Sequence, residues 1–202
     1  AVIIAFIGIV LMYLGGCNLR QLIIIGAIAL VGVIVLAFAQ PYRIARMTSF
    51  SNPENDPQGT GYQLLQSYYA IGSGGCFGKG LNNSYQKLLY MTYGESDFIF
   101  AILCEEFGFV GGFIIIFLYG VIVFRGIQIS MRVKDRFSSL LAAGISIVFG
   151  FQVFVNIGVV TGLMPTTGQS LPFISAGGAS LIVFLGAMGI LLGISRNLNP
   201  RR

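Results

Sequence analysis

Three carboxylates stand where a long polar segment of the chain gives way to an apolar one: Asp97, Glu105 and Glu106. An acidic group at membrane depth costs at least about 2.5 kcal/mol, so an apolar segment that keeps one usually has a use for it. Asp97 lies at the start of the apolar segment, where it could take a proton from an attacking hydroxyl as a general base. The alternative is purely structural, because the dipole of a helix also favours an acid at its N-terminus.

The two glutamates follow inside the apolar segment. In a continuous helix Glu105 would lie about 12 Å beyond Asp97, and Glu106 would point in another direction. At that depth one of them should face a polar cavity or a partner group, and a structural, hydrogen-bonded glutamate is as compatible with the sequence as a functional one. Gly108 and Gly112 form a G-x-x-x-G pair, which predicts close packing of this helix against a neighbour.

The polar segment before Asp97 supplies the cations that could hold an anionic headgroup. They are Arg43, Arg46, Lys79 and Lys87. Ordinary solvated loop charges are an equal interpretation for each of them. The glycine-rich stretches at 72–75 and 78–80 could offer backbone N–H groups to a phosphate, but they match no P-loop spacing. The chain has no His and only three scattered Cys, which argues against His-based catalysis and against a His or Cys metal site.

Composition places these groups in a membrane protein. The 202 residues are 55% hydrophobic and 9% charged, with a mean hydropathy of +0.85, whereas soluble domains carry about 25% charged residues. Apolar runs of about 20 residues recur, the length that crosses a bilayer. The net charge of +5 is spread between these runs, so no nucleic-acid surface is expected.

The pattern predicts an all-α, polytopic helix bundle that forms one membrane domain over 1–202. Its five predicted spans cover about 1–15, 21–40, 98–124, 138–160 and 177–194. A large extracytoplasmic loop, 41–97, should contain a short amphipathic helix that begins at Tyr62, and a second outer loop covers 161–176. Because the chain begins with Ala inside an apolar run, we expect it to start in the middle of a longer protein.

Orientation follows from the distribution of Lys and Arg over the two faces. One face carries eight of them against one acid, Asp135. These eight are Arg20, Arg125, Arg132, Lys134, Arg136, Arg196, Arg201 and Arg202. The 41–97 loop balances four cations with four acids. The first face, with the C-terminus, is therefore expected to be cytoplasmic, and the large loop to lie outside.

Short motifs recur in a fixed order along most of the chain. They are Pro41-Tyr42-Arg43, Gly61-Tyr62-Gln63-Leu64-Leu65-Gln66-Ser67, Gly78-Lys79-Gly80-Leu81, Ser96-Asp97-Phe98-Ile99-Phe100-Ala101, Glu105-Glu106-Phe107-Gly108 and Leu171-Pro172-Phe173-Ile174-Ser175-Ala176-Gly177-Gly178. In these motifs the chain resembles the SEDS family (shape, elongation, division and sporulation) of bacterial cell-wall polymerases. Its large loop resembles the division and sporulation members more than the elongation member.

The resemblance implies a fold of about ten membrane spans in the bacterial cytoplasmic membrane, of which this chain would be the last five. It also implies a peptidoglycan glycosyltransferase that polymerises lipid II, the undecaprenyl-pyrophosphate-linked disaccharide pentapeptide, on the extracytoplasmic side. The implied protein partner is a class B penicillin-binding protein, a transpeptidase. The cellular process, whether division, sporulation or elongation, stays open at this point.

The essential aspartate of the family corresponds to Asp97, so the resemblance implies that Asp97 is the catalytic base. Further candidate substrate contacts lie in the polar loop and the matched motifs: Arg43, Arg46, Gln63, Gln66, Ser67, Lys79, Lys87, Glu105 and Ser175. No cofactor is required by the sequence, and stabilisation of the leaving pyrophosphate by these cations or by Mg²⁺ or Mn²⁺ stays open.

Two other functions are compatible with the sequence. A flippase for a lipid-linked precursor would work through Glu105 and Glu106, with Asp97 incidental. A scaffold that only positions a penicillin-binding protein would tolerate Asp97→Asn. The large outer loop, which offers a carboxylate beside a substrate-sized surface, favours the polymerase.

Overall fold

A computed structural model of the protein describes residues 2–38, 61–85, 97–196 and 198. Over these residues the secondary structure is helical, without strands, which confirms the predicted all-α class. The helices are α1 Val2–Leu14, α2 Leu19–Phe38, α3 Tyr62–Gly74, α4 Ile99–Arg132, α5 Arg136–Val160 and α6 Gly178–Arg196.

A helix occupies each predicted span, and α3 is the amphipathic helix expected in the large loop. Among the described residues, α4, α5 and α6 are long and apolar enough to cross a membrane, whereas α1 and α2 contain shorter apolar stretches, Ile4–Leu14 and Leu19–Gly32. Crossing by α1 and α2 stays a prediction. Helix α4 continues to Arg132, beyond the expected end at residue 124, because arginine is a good helix former and does not stop a helix.

The chain divides into two compact units. The first comprises Ala1–Ile44, Val121–Phe151 and Leu185–Arg202, and the second comprises Ala45–Gly120 and Gln152–Phe184. All the described candidate residues from the sequence fall in the second unit.

Small and polar side chains bring the helices of the first unit together. In the paired segments of α4 and α5, the hydroxyls of Ser130 and Ser139 each donate to the backbone carbonyl of the other residue, at 2.9 and 2.8 Å. Helix α1 ends at a turn in which Gly16 has a left-handed backbone, φ 87°, and Arg136 donates a hydrogen bond to the Gly15 carbonyl. These three polar side chains lie at helix ends and helix contacts and are hydrogen-bonded there.

In the second unit, α3 turns one face inward. Leu64, Ser67, Ala70 and Gly74 are buried at intervals of three or four residues, the spacing of one helix face. The hydroxyl of Ser67 donates to the carbonyls of Leu64 (2.7 Å) and Val160 (3.1 Å), so α3 is hydrogen-bonded to the last turn of α5.

Helix α4 is broken at Gly108, whose backbone angles are φ 71° and ψ −171°. The break frees two carbonyls before it and two N–H groups after it, and the loop that follows α3 pairs with all four. Lys79 and Gly80 donate to the carbonyls of Glu105 and Glu106, both at 3.0 Å. Phe109 and Val110 donate to the carbonyls of Gly75 (2.9 Å) and Cys76 (3.2 Å). Non-helical backbone at membrane depth is tolerated where it is buried in protein or lines a water-filled cavity, because its polar groups then have partners.

Candidate active site

Asp97 lies just before α4 and is partly exposed. Its carboxylate lies beside Gly168, where a Cβ would be 3.6 Å from Oδ2 of Asp97. Within the described residues, no hydrogen bond to this carboxylate is found. A partly exposed carboxylate with available lone pairs can accept a proton from a substrate hydroxyl.

The backbone of Asp97 is held by a buried side chain on α5. Nδ2 of Asn156 donates to the carbonyl of Asp97 at 2.8 Å and to the carbonyl of Gln169 at 2.6 Å. Asn156 is 1% exposed, and its Oδ1 has no hydrogen-bond partner among the described residues. An unsatisfied buried acceptor costs about 1–3 kcal/mol, so the two donated bonds must be what this asparagine contributes.

The loop from Thr161 to Gly177, which contains Gly168, is fastened at further points. One turn before Asn156 on α5, Nε2 of Gln152 donates to the carbonyl of Ser170 at 2.9 Å. The hydroxyl of Tyr119 on α4 donates to the carbonyl of Pro172 at 2.5 Å. The segment that lies against Asp97 is therefore fixed to two helices.

Glu105 is fully buried and makes an ion pair. Its Oε1 is 2.7 Å from Nζ of Lys79 and also accepts from the Ser73 hydroxyl at 3.2 Å. Its Oε2 accepts from the buried hydroxyl of Ser84 at 2.5 Å. The ammonium of Lys79 lies 4.9 Å from the centre of the Tyr85 ring. Glu105 therefore faces a partner group, as expected for one of the two glutamates. That partner, Lys79, is also one of the cations predicted to bind substrate.

Glu106, which is 7% exposed, accepts a hydrogen bond from the backbone N–H of Asn82 at 3.2 Å. Asn82 has a left-handed backbone, φ 62°. Both glutamates therefore hold the loop that follows α3 against the break in α4.

The structure separates the other predicted substrate contacts by exposure. Gln63 is exposed and Gln66 partly exposed on α3, whereas Ser67 is buried and bonded to backbone carbonyls. Ser175 is 7% exposed. Roles of these residues, of Lys79 and of Glu105 in substrate binding stay predictions. Arg43, Arg46 and Lys87 lie outside the described residues.

No metal cluster is found in the part of the chain that the structure describes, where no three His, Cys, Asp or Glu side chains come together. Asn156 was not among the residues predicted from the sequence to belong to the site, although an amide side chain inside an apolar helix indicates a buried hydrogen-bonding role. Its partners are backbone carbonyls 59 and 13 residues away, and no residue pattern indicates such partners.

The chain is similar to known proteins over nearly its whole length. A family model described as "Cell cycle protein", which covers FtsW, RodA and SpoVE, matches residues 1–200. Stage V sporulation protein E of Bacillus subtilis is 48% identical over 188 residues, which are 93% of this chain and 51% of that protein. The "Probable peptidoglycan glycosyltransferase FtsW" of Geobacter sp. (strain M18) is 41% identical over 192 residues, 95% of this chain and 52% of that protein.

Two solved structures share the fold. A chain from a study of how a peptidoglycan synthase complex coordinates polymerization and crosslinking matches with a TM-score of 0.75 and 30% identity, over 97% of this chain and 55% of that one. A Thermus thermophilus RodA in which one aspartate is replaced by alanine matches with a TM-score of 0.61 and 28% identity, over 97% and 49%.

The chain spans about half the length of the curated relatives that it matches. The family match over residues 1–200 confirms the resemblance drawn from the sequence motifs. With three helices suited to crossing a bilayer, the chain is a multi-pass membrane protein and belongs to the SEDS family of cell cycle proteins that includes FtsW, RodA and SpoVE.

Proposed function

We propose that the protein containing this chain is a peptidoglycan glycosyltransferase that polymerises lipid II, with Asp97 as its general base. The observation that carries the proposal is the contrast among the described carboxylates near the start of α4. Glu105 and Glu106 are bonded to the loop after α3, whereas the partly exposed carboxylate of Asp97 lies against Gly168. The names of the FtsW relatives support the same activity.

The reaction joins two lipid-linked molecules. The 4-hydroxyl of one lipid II sugar attacks the anomeric carbon of the growing chain, and the bond from that carbon to undecaprenyl pyrophosphate breaks. Asp97 takes the hydroxyl proton as the new glycosidic bond forms, and undecaprenyl pyrophosphate leaves with the bonding electrons on its phosphate oxygen. The backbone bond from Asn156 fixes where the base stands.

The leaving pyrophosphate needs positive charge. Lys79 is engaged with Glu105, so Arg43, Arg46 and Lys87 are the first candidates to supply this charge. Mg²⁺ is commonly bound by one or two carboxylates together with substrate phosphates, so a cation that arrives with the pyrophosphate could supply the same charge. Polymerisation measured with and without a chelator distinguishes the two sources.

We place the reaction at the extracytoplasmic face and the C-terminus in the cytoplasm. The proposal rests on charge: in the described residues, Arg132, Lys134 and Arg136 surround the short connection between α4 and α5, and short basic loops stay cytoplasmic. The structural relative comes from a complex that both polymerises and crosslinks, which supports a class B penicillin-binding protein as the partner.

The transport hypothesis requires Glu105 and Glu106 to be the working groups. An ion pair at 2.7 Å and a bond to a loop N–H give both a structural task instead. A scaffold would not need the carboxylate of Asp97, so the substitution Asp97→Asn distinguishes the scaffold hypothesis from the polymerase hypothesis.

The test uses the complete gene product, purified with its own class B penicillin-binding protein and supplied with lipid II. At equal folded amounts, Asp97→Asn should reduce glycan chain formation at least about 100-fold, the usual contribution of a general base, while lipid II still binds. Asp135→Asn, a carboxylate in the connection between α4 and α5, is the matched control and should polymerise normally. Normal polymerisation by Asp97→Asn would move the base elsewhere and favour transport or scaffolding.

A further inference from the structure

Asn156 ties two segments that are far apart in sequence. Both of its partners, the carbonyls of Asp97 and Gln169, can only accept hydrogen bonds. The amide nitrogen must therefore face them, and this fixes the orientation of the side chain without ambiguity. Each of the two amide hydrogens serves one segment.

The opposite end of the same side chain is unsatisfied. Oδ1 of Asn156 is buried without a hydrogen-bond partner among the described residues. An apolar side chain of similar volume would avoid a buried, unpaired acceptor, so an asparagine is favoured here only because it donates twice. The fold tolerates an unfavourable group in order to keep Asp97 and Gln169 together.

From this geometry we infer that Asn156 is a positioning residue for the base: it holds Asp97 against the segment Gly168–Ser170 and so sets where the carboxylate meets the substrate. The inference rests on the proposed function of Asp97. A misplacement of about 1 Å at a reacting group can reduce a rate about 100-fold, so losing the tie should slow the chemical step more than it weakens substrate binding.

The chain offers a matched control on the same helix. Gln152 also donates from α5 to the loop, to the carbonyl of Ser170, but in the described part of the chain it has no hydrogen bond to Asp97. Gln152→Met removes a loop bond of the same kind, whereas Asn156→Leu removes a loop bond and the bond to the base. The comparison isolates the second bond.

Activity is measured on the complete gene product with its penicillin-binding protein, per folded enzyme. Asn156→Leu should lower kcat for lipid II polymerisation roughly 100-fold with KM changed less than about threefold, whereas Gln152→Met should stay within about fivefold of wild type, the factor for one hydrogen bond. Equal losses in the two variants would overturn the inference, because loop anchoring alone would then explain them. Asn156→Ala replaces the leucine variant if that protein does not fold.

Hydrogen–deuterium exchange tests the tie without any assay of activity. In Asn156→Leu, peptides covering 97–103 and 166–172 should both exchange about fivefold faster, whereas Gln152→Met should affect only 166–172. Unchanged exchange at 97–103 in Asn156→Leu would overturn the inference. If Asp97→Asn polymerised normally, the proposed function would fail, and faster exchange at 97–103 would still establish the tie.

Discussion

Gly108 offers the sharpest test of how this fold is held together. Its φ of 71° is a left-handed backbone that an L-residue adopts poorly. A Cβ at this position would also overlap the backbone of Cys76 and Gly78, in the loop that pairs with the broken helix. Gly108→Ala therefore strains the break itself and pushes away the segment that satisfies it.

The magnitude can be worked from these two effects. The combination of φ 71° with ψ −171° is a region that essentially only Gly occupies, and it costs an L-residue roughly 1–3 kcal/mol. Moving the loop weakens the four backbone hydrogen bonds around the break, each with a net value of about 1 kcal/mol. If half of that is lost, the total destabilisation is about 3–5 kcal/mol. For a domain of 150–250 residues this corresponds to a fall of roughly 6–20 °C in Tm.

The assay heats the detergent-solubilised protein at a fixed rate and measures the fraction that remains monodisperse by gel filtration. Gly120→Ala is the matched control on the same helix, because a Cβ at Gly120 meets nothing within 4 Å; its apparent Tm should stay within about 3 °C of wild type. If the two variants had the same apparent Tm, the close fit between the loop backbone and the break in α4 would not be what stabilises the protein.

Two further substitutions test charged groups. Lys79→Met should destabilise the protein by about 3 kcal/mol. This is the lower end of the range for breaking a buried ion pair, and it is chosen because the Lys79 side chain is 29% exposed. The double variant Lys79→Met, Glu105→Leu should recover most of this loss, and simple additivity of Tm changes would contradict the pairing. At the start of α5, the hydroxyl and the N–H of Ser138 donate to Asp135 and lower the pKa of that carboxyl. The stabilisation is present above the ordinary pKa of about 3.9 and is lost as the pH falls through the lowered folded pKa. The Tm difference between wild type and Asp135→Asn should therefore shrink from pH 7 towards pH 3, and a widening difference would be inconsistent with stabilisation by these hydrogen bonds.

The helices were predictable because apolar run length and the residues that end a run are local properties. The run that ends at Val160 and the turn at Gly15 and Gly16 gave helix ends within a few residues of those observed. The predicted span stops before Arg125, whereas helix α4 continues to Arg132. A single charge on a long flexible stem can sit on a helix surface without ending the helix, and here Arg125 also donates to Gln128 at 3.3 Å.

The break in α4 was not predictable in the same way. Gly108 and Gly112 have the spacing of a helix-packing pair, yet Gly108 has a non-helical backbone. From sequence alone the glycines of this loop could offer N–H groups to a phosphate, whereas in the structure Gly78 lets the loop backbone approach the carbonyl of Glu106. Each glycine is permissive alone, and only the pairing of loop with helix, a contact distant in sequence, selects this conformation.

Among Asp97, Glu105 and Glu106, the candidate general base can be selected by asking which carboxylate already has hydrogen-bond and ion-pair partners. A general base needs an accessible lone pair. The carboxylate of Glu105 already accepts from an ammonium and two hydroxyls, so it is a poor candidate for this role. The loop held by Glu105 and Glu106 is fixed to α4, and the loop beside Asp97 is fixed to α5 through Gln152 and Asn156.

Rigid support of this kind matters for the proposed reaction, because a lipid-linked sugar is tethered only through a flexible chain and brings little preorganisation of its own. The protein must then supply the alignment of hydroxyl, base and leaving group. Ties such as the one from Asn156 to Asp97 should therefore influence turnover more than lipid affinity, whereas contacts to the lipid should influence affinity more than turnover.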